Sequence, residues 1–236
     1  MAGVTSQRKV GVVDVVLICS MGNNGLSGVG SCSFISTGRA FVDGGLVDRC
    51  VIAHNAASHF GALAVGRARI RNCLIYDNRA TSEGGDGSSY KSVRFEGCLV
   101  ENCTITGNRV TTAGVNISGV YSDSNTVFYN TVAFGNLTST GDIAPTNYLF
   151  SGSPQAYNCL LEPAYSNAVD SLSGNPLLNP DFTLNIASPC IDKGTNLAWT
   201  ATGLDLAGNR RKQGKSVDIG AFEAPYHPPG TVFTGW

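Results

Sequence analysis

The stretch Asn102-Cys103-Thr104-Ile105-Thr106-Gly107-Asn108 decides the fold, because variants of it recur along the chain. Each copy is anchored by a cysteine or a threonine, and the anchors of the other five copies are Cys19, Cys50, Cys73, Thr131 and Cys159. Successive anchors are 23 to 31 residues apart, and a period of about twenty to fifty residues is typical of a solenoid. Each unit of a solenoid buries its apolar face only by stacking on its neighbour.

The repeated unit predicts a short β-strand rather than a helix. Apolar residues alternate around the anchor, and Gly and Asn punctuate the segments every few residues, as in strands bounded by turns. Stacking one such strand per repeat in parallel, ~4.8 Å apart, gives a parallel β-helix. The sequence therefore predicts an all-β, single-stranded parallel β-helix of about six to seven coils.

Three rows of equivalent positions are largely apolar and are predicted to face inward as ladders. They lie at the anchor, two residues after it and three residues before it. The rows are Cys19, Cys50, Cys73, Cys103, Thr131 and Cys159; Met21, Ile52, Ile75, Ile105, Ala133 and Leu161; and Val16, Val47, Ile70, Val100, Phe128 and Ala156. We expect the ladder cysteines to be small buried hydrophobes, since neighbouring ladder side chains point the same way whereas bridged cysteines must converge. Cys32, Cys98 and Cys190 lie off this ladder, and the sequence leaves their pairing open.

Two further rows are asparagine, and they bracket the same strand. They are Asn72, Asn102, Asn130 and Asn158 directly before the anchor, and Asn24, Asn55, Asn78, Asn108 and Asn136 five residues after it. Asparagine tolerates left-handed turn conformations, and its amide can bond the amide of the next coil. A globular α/β protein has no reason to carry two such ladders, so they favour the β-helix.

Composition narrows the class of protein. The 236 residues suffice for one sizeable core without a second domain, and 29 glycines suit a turn-rich all-β fold. The formal net charge of -1 and the lack of a basic stripe disfavour nucleic acid as a partner. No apolar run reaches the ~18 residues of a membrane span. The apolar segment 10–19 is interrupted by Asp14 and lacks a small-residue cleavage site, so it predicts a strand rather than a signal peptide.

The start of the chain predicts an exposed end of the stack. Met1-Ala2-Gly3 leads almost directly into residues 10–24, which are interpreted as the first coil. The outer edge of such a coil needs a cover. We expect that cover to be an upstream region of a longer chain or a partner that caps the first coil.

Two outward rows offer candidate binding residues. The row Asp48, Arg71, Glu101, Tyr129 and Tyr157 alternates in charge and then passes into tyrosines that should stack across strands. The rows Val51, Leu74, Thr104, Val132 and Leu160 and Ala53, Tyr76, Thr106, Phe134 and Glu162 should face outward although they are partly apolar. Either a loop or the tail residues Val232, Phe233 and Trp236 cover this face, or Tyr76 and Phe134 are platforms for a glycan or a protein partner.

Carboxylates suggest a competing enzymatic interpretation. Glu83 and Asp86 lie in the polar insertion 81–89, and they are the first catalytic candidates if the protein is an enzyme. A second group could do acid–base chemistry, or could form a charged network that ties the chain end over the last coil. Its members are Asp192, Asp205, Arg210, Asp218 and Glu223.

No cofactor is expected from the metal-binding residue types. His54, His59 and His227 show no metal-ligand spacing, and His54 occupies the turn position that Asp77 holds in the next coil. Calcium is conceivable at the carboxylates, but no loop has the one-three-five oxygen spacing of a calcium site. His54 is therefore interpreted as a solvated turn residue.

A resemblance rests on three stretches near the C-terminus. They are Asn179-Pro-Asp-Phe-Thr-Leu-Asn-Ile-Ala-Ser-Pro-Cys-Ile-Asp-Lys-Gly194, Asp205-Leu-Ala-Gly-Asn-Arg210 and Val217-Asp-Ile-Gly-Ala-Phe-Glu223. Together with the upstream repeats they resemble bacterial surface β-helix proteins of the choice-of-anchor type, within the pectin-lyase-like superfold. The resemblance implies a right-handed helix, with coils over 1–178, an irregular C-terminal cap over 179–223 and a tail over 224–236.

The same resemblance implies an extracytoplasmic or cell-surface protein. Its expected role is non-enzymatic binding of carbohydrate or of a surface protein, or a structural role; Tyr76, Phe134, Tyr129 and Tyr157 are the candidate ligand contacts. The alternative is a polysaccharide lyase or glycoside hydrolase of the same superfold. The chain departs from the surface proteins in its tail, since 224–236 contains no hydrophobic anchor and no sorting motif.

Overall fold

The computed structural model describes residues 15–18, 26–36, 40–58, 63–81, 91–110, 118–137 and 153–225. These residues form nineteen strands, numbered along the chain, and one 3-10 helix. The strands are β1 (Val15–Ile18), β2 (Leu26–Ser36), β3 (Ala40–Asp43), β4 (Leu46–Ala53), β5 (Ala56–Ser58), β6 (Leu63–Gly66), β7 (Arg69–Arg71), β8 (Leu74–Tyr76), β9 (Arg79–Thr81), β10 (Lys91–Glu96), β11 (Leu99–Glu101), β12 (Thr104–Thr106), β13 (Arg109–Val110), β14 (Ser118–Ser122), β15 (Val127–Tyr129), β16 (Val132–Phe134), β17 (Gln155–Tyr157), β18 (Leu160–Leu161) and β19 (Ala168–Val169). The 3-10 helix is Ala198–Ala201.

The strands belong to three sheets that the chain visits in turn. A 12-stranded sheet contains the path β18-β16-β12-β8-β4-β7-β11-β15-β17-β19, a 4-stranded sheet has the order β14-β10-β6-β3, and a 3-stranded sheet has the order β13-β9-β5. Each circuit passes from the large sheet to the 3-stranded sheet, then to the 4-stranded sheet and back. Neighbouring strands from successive circuits are parallel, as between β7, β11 and β15. The predicted all-β fold built on parallel strands is confirmed, and its arrangement is compatible with a β-helix.

The predicted inward rows form the core. All their members from Val47 onward are buried, and they belong to one apolar cluster except for Thr131, which is buried but polar. The 4-stranded sheet closes this core from another side with Val65, Val93, Phe95 and Val120. The rings of Phe95 and Phe128 meet edge to face, 5.8 Å apart. Alternation around the anchor thus predicts the interior correctly for every described coil.

The cysteines of the described side chains are free thiols. Cys50, Cys73, Cys103 and Cys159 are buried in the ladder, as predicted. Cys98 and Cys190, whose pairing the sequence left open, are also free and buried. Cys98 occupies the turn between β10 and β11, and its thiol donates to Val65 O.

The asparagine ladder after the anchor is confirmed in atomic detail. The Nδ2 of Asn78 donates to Asn108 Oδ1 at 2.8 Å, and the Nδ2 of Asn108 donates to Asn136 Oδ1 at 2.9 Å. Each backbone N–H also donates to the oxygen of the next asparagine, as Asn78 does to Asn108 at 3.1 Å. These buried amides hydrogen-bond to one another across the stack. The bonds give partners to polar groups that the turns would otherwise bury unpaired.

The asparagine row before the anchor has a different role. Asn72, Asn102, Asn130 and Asn158 all have positive φ angles of 49° to 52°, the left-handed conformation that asparagine tolerates better than most residues. This part of the prediction is confirmed. Asn130 Nδ2 donates a hydrogen bond to Asn102 Oδ1 at 3.2 Å. Both side chains also donate to backbone oxygens in the C-terminal part of the chain.

The interpretation of residues 10–24 as a coil of the stack is wrong where the structure describes them. β1 pairs antiparallel with β2, and β2 provides the strand parallel to β4. Cys32 lies opposite Cys50 in this register, and Phe34 lies opposite Ile52. The anchor row therefore passes from Cys50 to Cys32 rather than to Cys19. The error arose because Cys19 preserves the usual repeat length, whereas the chain reaches Cys32 through a short step and a register shift between Ser27 and Cys32.

Residues 176–225, here called the fold-back segment, run along the outside of the large sheet. Leu206 and Ala221 pack on Leu74 of β8, while Leu184 and Ile219 belong to a cluster with strands β16 and β18. Backbone contacts fix the docking, since Gly220 N donates to Asn130 O at 2.8 Å. The fold-back segment thus lies beside several strands of the large sheet, among them β8, β16 and β18.

Within the described part of the chain, no helix is long and apolar enough to cross a membrane.

Candidate functional site

The fold-back segment covers the partly apolar outward rows of the large sheet. Leu74, Thr104, Val132 and Leu160 are buried beneath it. Thr104 Oγ1 accepts a hydrogen bond of 3.0 Å from the backbone of Ala221. Within the described residues, the fold-back segment makes this cover. Val232, Phe233 and Trp236, which the sequence offered as a cover, lie outside the described residues.

Tyr76 and Phe134 stand at the margin of this cover. Both are half-buried. The Tyr76 ring lies 4.6 Å from the ring of Phe182 in the fold-back segment, and Phe134 packs against the cluster around Leu184. The two predicted platforms are therefore partly exposed and partly packed against the chain itself.

The tyrosine row on the neighbouring strands is arranged differently. Tyr129 and Tyr157 stack with ring centroids 5.0 Å apart and an interplanar angle of 17°, and both are half-buried. They continue the outward row of β11, β15 and β17 in strict register, Glu101 opposite Tyr129 and Tyr129 opposite Tyr157. The predicted stack is confirmed as a structural feature.

Charged side chains extend this row away from the tyrosines. Arg71 Nη2 donates to Asp48 Oδ2 at 2.9 Å, as the alternation of charge predicts. Glu101 is buried and takes its partner from the adjacent row, where Arg69 binds it through Nε at 2.6 Å and Nη2 at 2.9 Å. The hydrogen bond to Glu101 raises the pKa of Arg69 above its ordinary value. The row therefore consists of charged side chains held in ion pairs, followed by the two stacked rings of Tyr129 and Tyr157.

Trp199 joins this surface from the fold-back segment. Its ring lies 4.8 Å from the Arg71 guanidinium, a cation–π contact. The indole is carried by the 3-10 helix Ala198–Ala201, whose approach is anchored where Thr195 N donates to Asn130 Oδ1 at 2.7 Å. Sequence reasoning missed Trp199, because no local pattern tells which coil the fold-back segment meets.

We call the surface formed by Arg71, Glu101, Tyr129, Tyr157 and Trp199 the aromatic ladder. Its row crosses strands stacked ~4.8 Å apart, so the four row members span about 14 Å. It offers a stacked pair of aromatic rings in the same row as a guanidinium group, while the Glu101 carboxylate is buried and bound by Arg69. Such a surface can hold a ligand that has both apolar faces and hydroxyl groups.

The second group of sequence candidates forms a buried network within the fold-back segment. Asp205, Asp218 and Glu223 are buried, Asp192 is half-buried and Arg210 is exposed. The arginine that enters the network is Arg211, which is completely buried and was not singled out from the sequence. Its Nε lies 3.0 Å from Glu223 Oε1, and its Nη2 donates to the backbone oxygens of Asp218 and Gly220.

The carboxylates of this network hold the backbone. Asp218 accepts from the N–H groups of Asp192 and Ala224, each at 2.7 Å, and Asp205 accepts from Glu223 N at 2.9 Å. Burial raises the pKa of Glu223 to about 8 despite the opposing charge of Arg211. Burial also raises the pKa of Asp218. This geometry closes turns around one buried cation and leaves the acids little contact with solvent.

The remaining candidates give no metal centre. Glu83, Asp86, His59 and His227 lie outside the described residues. Among the residues that are described, no group of three or more His, Cys, Asp or Glu side chains is arranged to hold a metal ion.

No protein-family model matches the chain, and no curated protein matches it.

Proposed function

We propose that the protein is a right-handed parallel β-helix of about six to seven coils that binds carbohydrate without transforming it. The chain passes repeatedly through the same three sheets, in which strands of successive circuits are parallel, and this supports a helical winding. Parallel strands joined by a crossover are right-handed in about 98% of known cases, which supports the hand. The resemblance of residues 179–223 to choice-of-anchor surface proteins of the pectin-lyase-like superfold supports an extracytoplasmic or cell-surface location.

The stacked pair Tyr129 and Tyr157 carries this proposal. Sugar rings offer apolar C–H faces that pack on aromatic rings, while their hydroxyls bond to charged or amide groups around the contact. Arg71 supplies such a group in the same row, and Trp199 supplies a further aromatic surface beside Arg71. A ladder with one side chain per coil also suits a ligand that is itself an extended polymer.

Two observations favour binding over catalysis. The acids of the described chain whose pKa is raised by burial, Asp218 and Glu223, accept hydrogen bonds from backbone N–H groups inside the fold-back segment. The carboxylate nearest to the stacked tyrosines, Glu101, is already bound by both donor atoms of an arginine. Neither arrangement leaves a carboxyl group poised to exchange a proton with a ligand.

A glycan array with three proteins tests the proposal. The wild type should bind at least one class of oligosaccharide, and the variant Tyr129→Ala/Tyr157→Ala should lose about tenfold or more in affinity. Tyr121→Ala is the matched control, since Tyr121 packs on Arg94 in the 4-stranded sheet away from the ladder. Binding that survives the double substitution, or a wild type that binds no glycan, would overturn the proposal. Turnover of a bound polysaccharide would favour the lyase or hydrolase alternative.

A further inference from the structure

A second cluster of polar side chains lies at the turn between the large sheet and the 3-stranded sheet. The corresponding turn residues of four coils have positive φ: His54 at 57°, Asp77 at 45°, Gly107 at 64° and Gly135 at 63°. The two residues with side chains are in contact, since His54 Nδ1 lies 2.9 Å from Asp77 Oδ2. His54 is exposed, as its interpretation as a solvated turn residue expects, but it is not isolated.

Two arginines project from the strands that follow this turn. Arg79 and Arg109 are direct partners in the parallel pair β9 and β13. Both approach the same oxygen, Asp77 Oδ1, at 3.3 Å. Two guanidinium groups therefore share one carboxylate, and like charges directly opposite each other on neighbouring strands repel.

Within the described part of the chain, the side chains of both arginines are partly open to solvent. The side chains of Arg79 and Arg109 are 45% and 36% exposed. The Nε of Arg109 is buried and has no hydrogen-bond partner within the described part of the chain. An oxyanion that arrives from solvent would therefore bind the exposed parts of the two guanidinium groups rather than this buried Nε.

Among the described residues, the surroundings of this turn leave room for a ligand. On the next two coils the turn is bare backbone, and a Cβ built on Gly107 would meet only Asp77 N, at 3.9 Å. On the opposite side the turn is bordered by Tyr76, whose ring meets the His54 ring edge to face at 5.1 Å. The site thus combines two cations, an oriented imidazole, an aromatic edge and an open strip of glycines.

We infer that His54, Arg79 and Arg109 form an anion-binding site for the acidic groups of a polysaccharide, with Asp77 as the internal anion that holds the arginines in place. The inference deepens the proposed function and rests on it for the carbohydrate nature of the ligand. The common chemistry is an oxyanion on a sugar ring, supplied by the carboxylate of a uronic acid or by a sulfate ester. Planar guanidinium groups bind both through paired N–H donors.

The test measures the affinity of the full chain for oligogalacturonate and for a sulfated dextran oligosaccharide by calorimetry. Arg79→Gln/Arg109→Gln should lose about tenfold or more for at least one of them. The difference from the wild type should shrink at high salt, where exposed charges are screened. Loss with only one probe identifies the preferred oxyanion. Arg94→Gln is the control, because Arg94 is paired with Glu96 in another sheet.

Asp77→Asn provides a second variant whose expected effect is a gain. Asparagine accepts the left-handed conformation of this turn, and the substitution removes the anion that competes with the ligand. Affinity for the acidic probes should rise several-fold if the site is an anion site. No change or a fall in affinity, in a variant that remains folded by circular dichroism, would overturn the inference.

Parallel measurements on Tyr129→Ala/Tyr157→Ala separate the two proposals. If the tyrosine variant loses binding and the arginine variant does not, the anion site is wrong and the proposed function stands. If only the arginine variant loses binding, the aromatic ladder is wrong. A wild type that binds neither probe overturns the anion site whatever its behaviour on the array.

Discussion

Arg211 and Glu223 lie 3.0 Å apart, Nε to Oε1, with both side chains almost completely removed from solvent. Around them Asp205 and Asp218 complete a cluster in which one guanidinium faces three carboxyl groups. The cluster holds the fold-back segment in the shape that packs on the large sheet. Its chemistry therefore determines whether the apolar face of the sheet stays covered.

Arg211→Met should be strongly destabilising, because it leaves the buried carboxylates without their cation. Removing one partner of a buried ion pair typically costs about 3–5 kcal/mol. The matched control is the neighbouring Arg210→Met, whose side chain is exposed and should change stability by less than about 0.5 kcal/mol. Urea unfolding of both variants checks the prediction. Equal effects of the two substitutions would mean that the network does not hold the segment.

Stability should fall as the pH rises from about 5 to about 9. The pKa of Glu223 is raised from 4.5 to about 8, so between these values the folded chain retains a proton that the unfolded chain has lost. The stability associated with that proton is fully present below pH 4.5 and is lost as the pH passes 8. The raised pKa of Asp218 acts in the same direction.

Thermal unfolding at pH 5.5 and pH 9 measures this effect. Glu223→Gln mimics the protonated acid, so it should match the wild type at pH 5.5 and exceed it at pH 9. A wild type whose unfolding temperature increases toward pH 9, with the Gln variant following it, would contradict the assignment.

Asn108→Ala should break the asparagine ladder at its centre. Asn108 donates to Asn136 Oδ1 and to Ile75 O, and it accepts from both nitrogens of Asn78. Its loss leaves several buried polar groups without a hydrogen-bond partner, and each such group costs about 1–3 kcal/mol of stability. Asn125→Ala, at an exposed turn, should be nearly neutral. Urea unfolding that gives the same midpoint for both variants would show that the ladder is dispensable.

The buried thiols should resist modification in the folded protein. Burial raises the pKa of Cys98 to about 11 and that of Cys159 and Cys190 to about 12, and the thiolate is the reactive form. In a Cys19→Ser/Cys32→Ser background, an aromatic disulfide reagent at pH 8 should label no cysteine rapidly, and six after denaturation. Rapid labelling of the native chain would show that the core opens.

The sequence predicts those parts of the molecule that depend on local alternation. The inward rows, the left-handed asparagines and the stacked tyrosines follow from spacing around the anchor, because each coil repeats the same backbone path. Contacts set by register or by distant segments do not follow. Cys32 lies opposite Cys50 in the register of β2 and β4 only because of a register shift. The orientation of one irregular turn decides that Arg211, and not Arg210, is the buried arginine.

The candidate sites divide in the same way. Tyr129 and Tyr157 form a row that the sequence predicts, but Trp199 reaches Arg71 of that row only through the docking of the fold-back segment on Asn130. Arg79 and Arg109 occupy a row of their own that contains Ala56 and Leu137 in other coils, so no repeated pattern marks them. Their meeting at Asp77 is visible only in three dimensions.

The most direct test of the account is a crystal structure of the chain with the tightest-binding neutral oligosaccharide from the array. A sugar ring should pack on Tyr129 and Tyr157, with the rest of the oligosaccharide extending along the row toward Arg71. A sugar bound elsewhere, with both tyrosine rings bare, would contradict it.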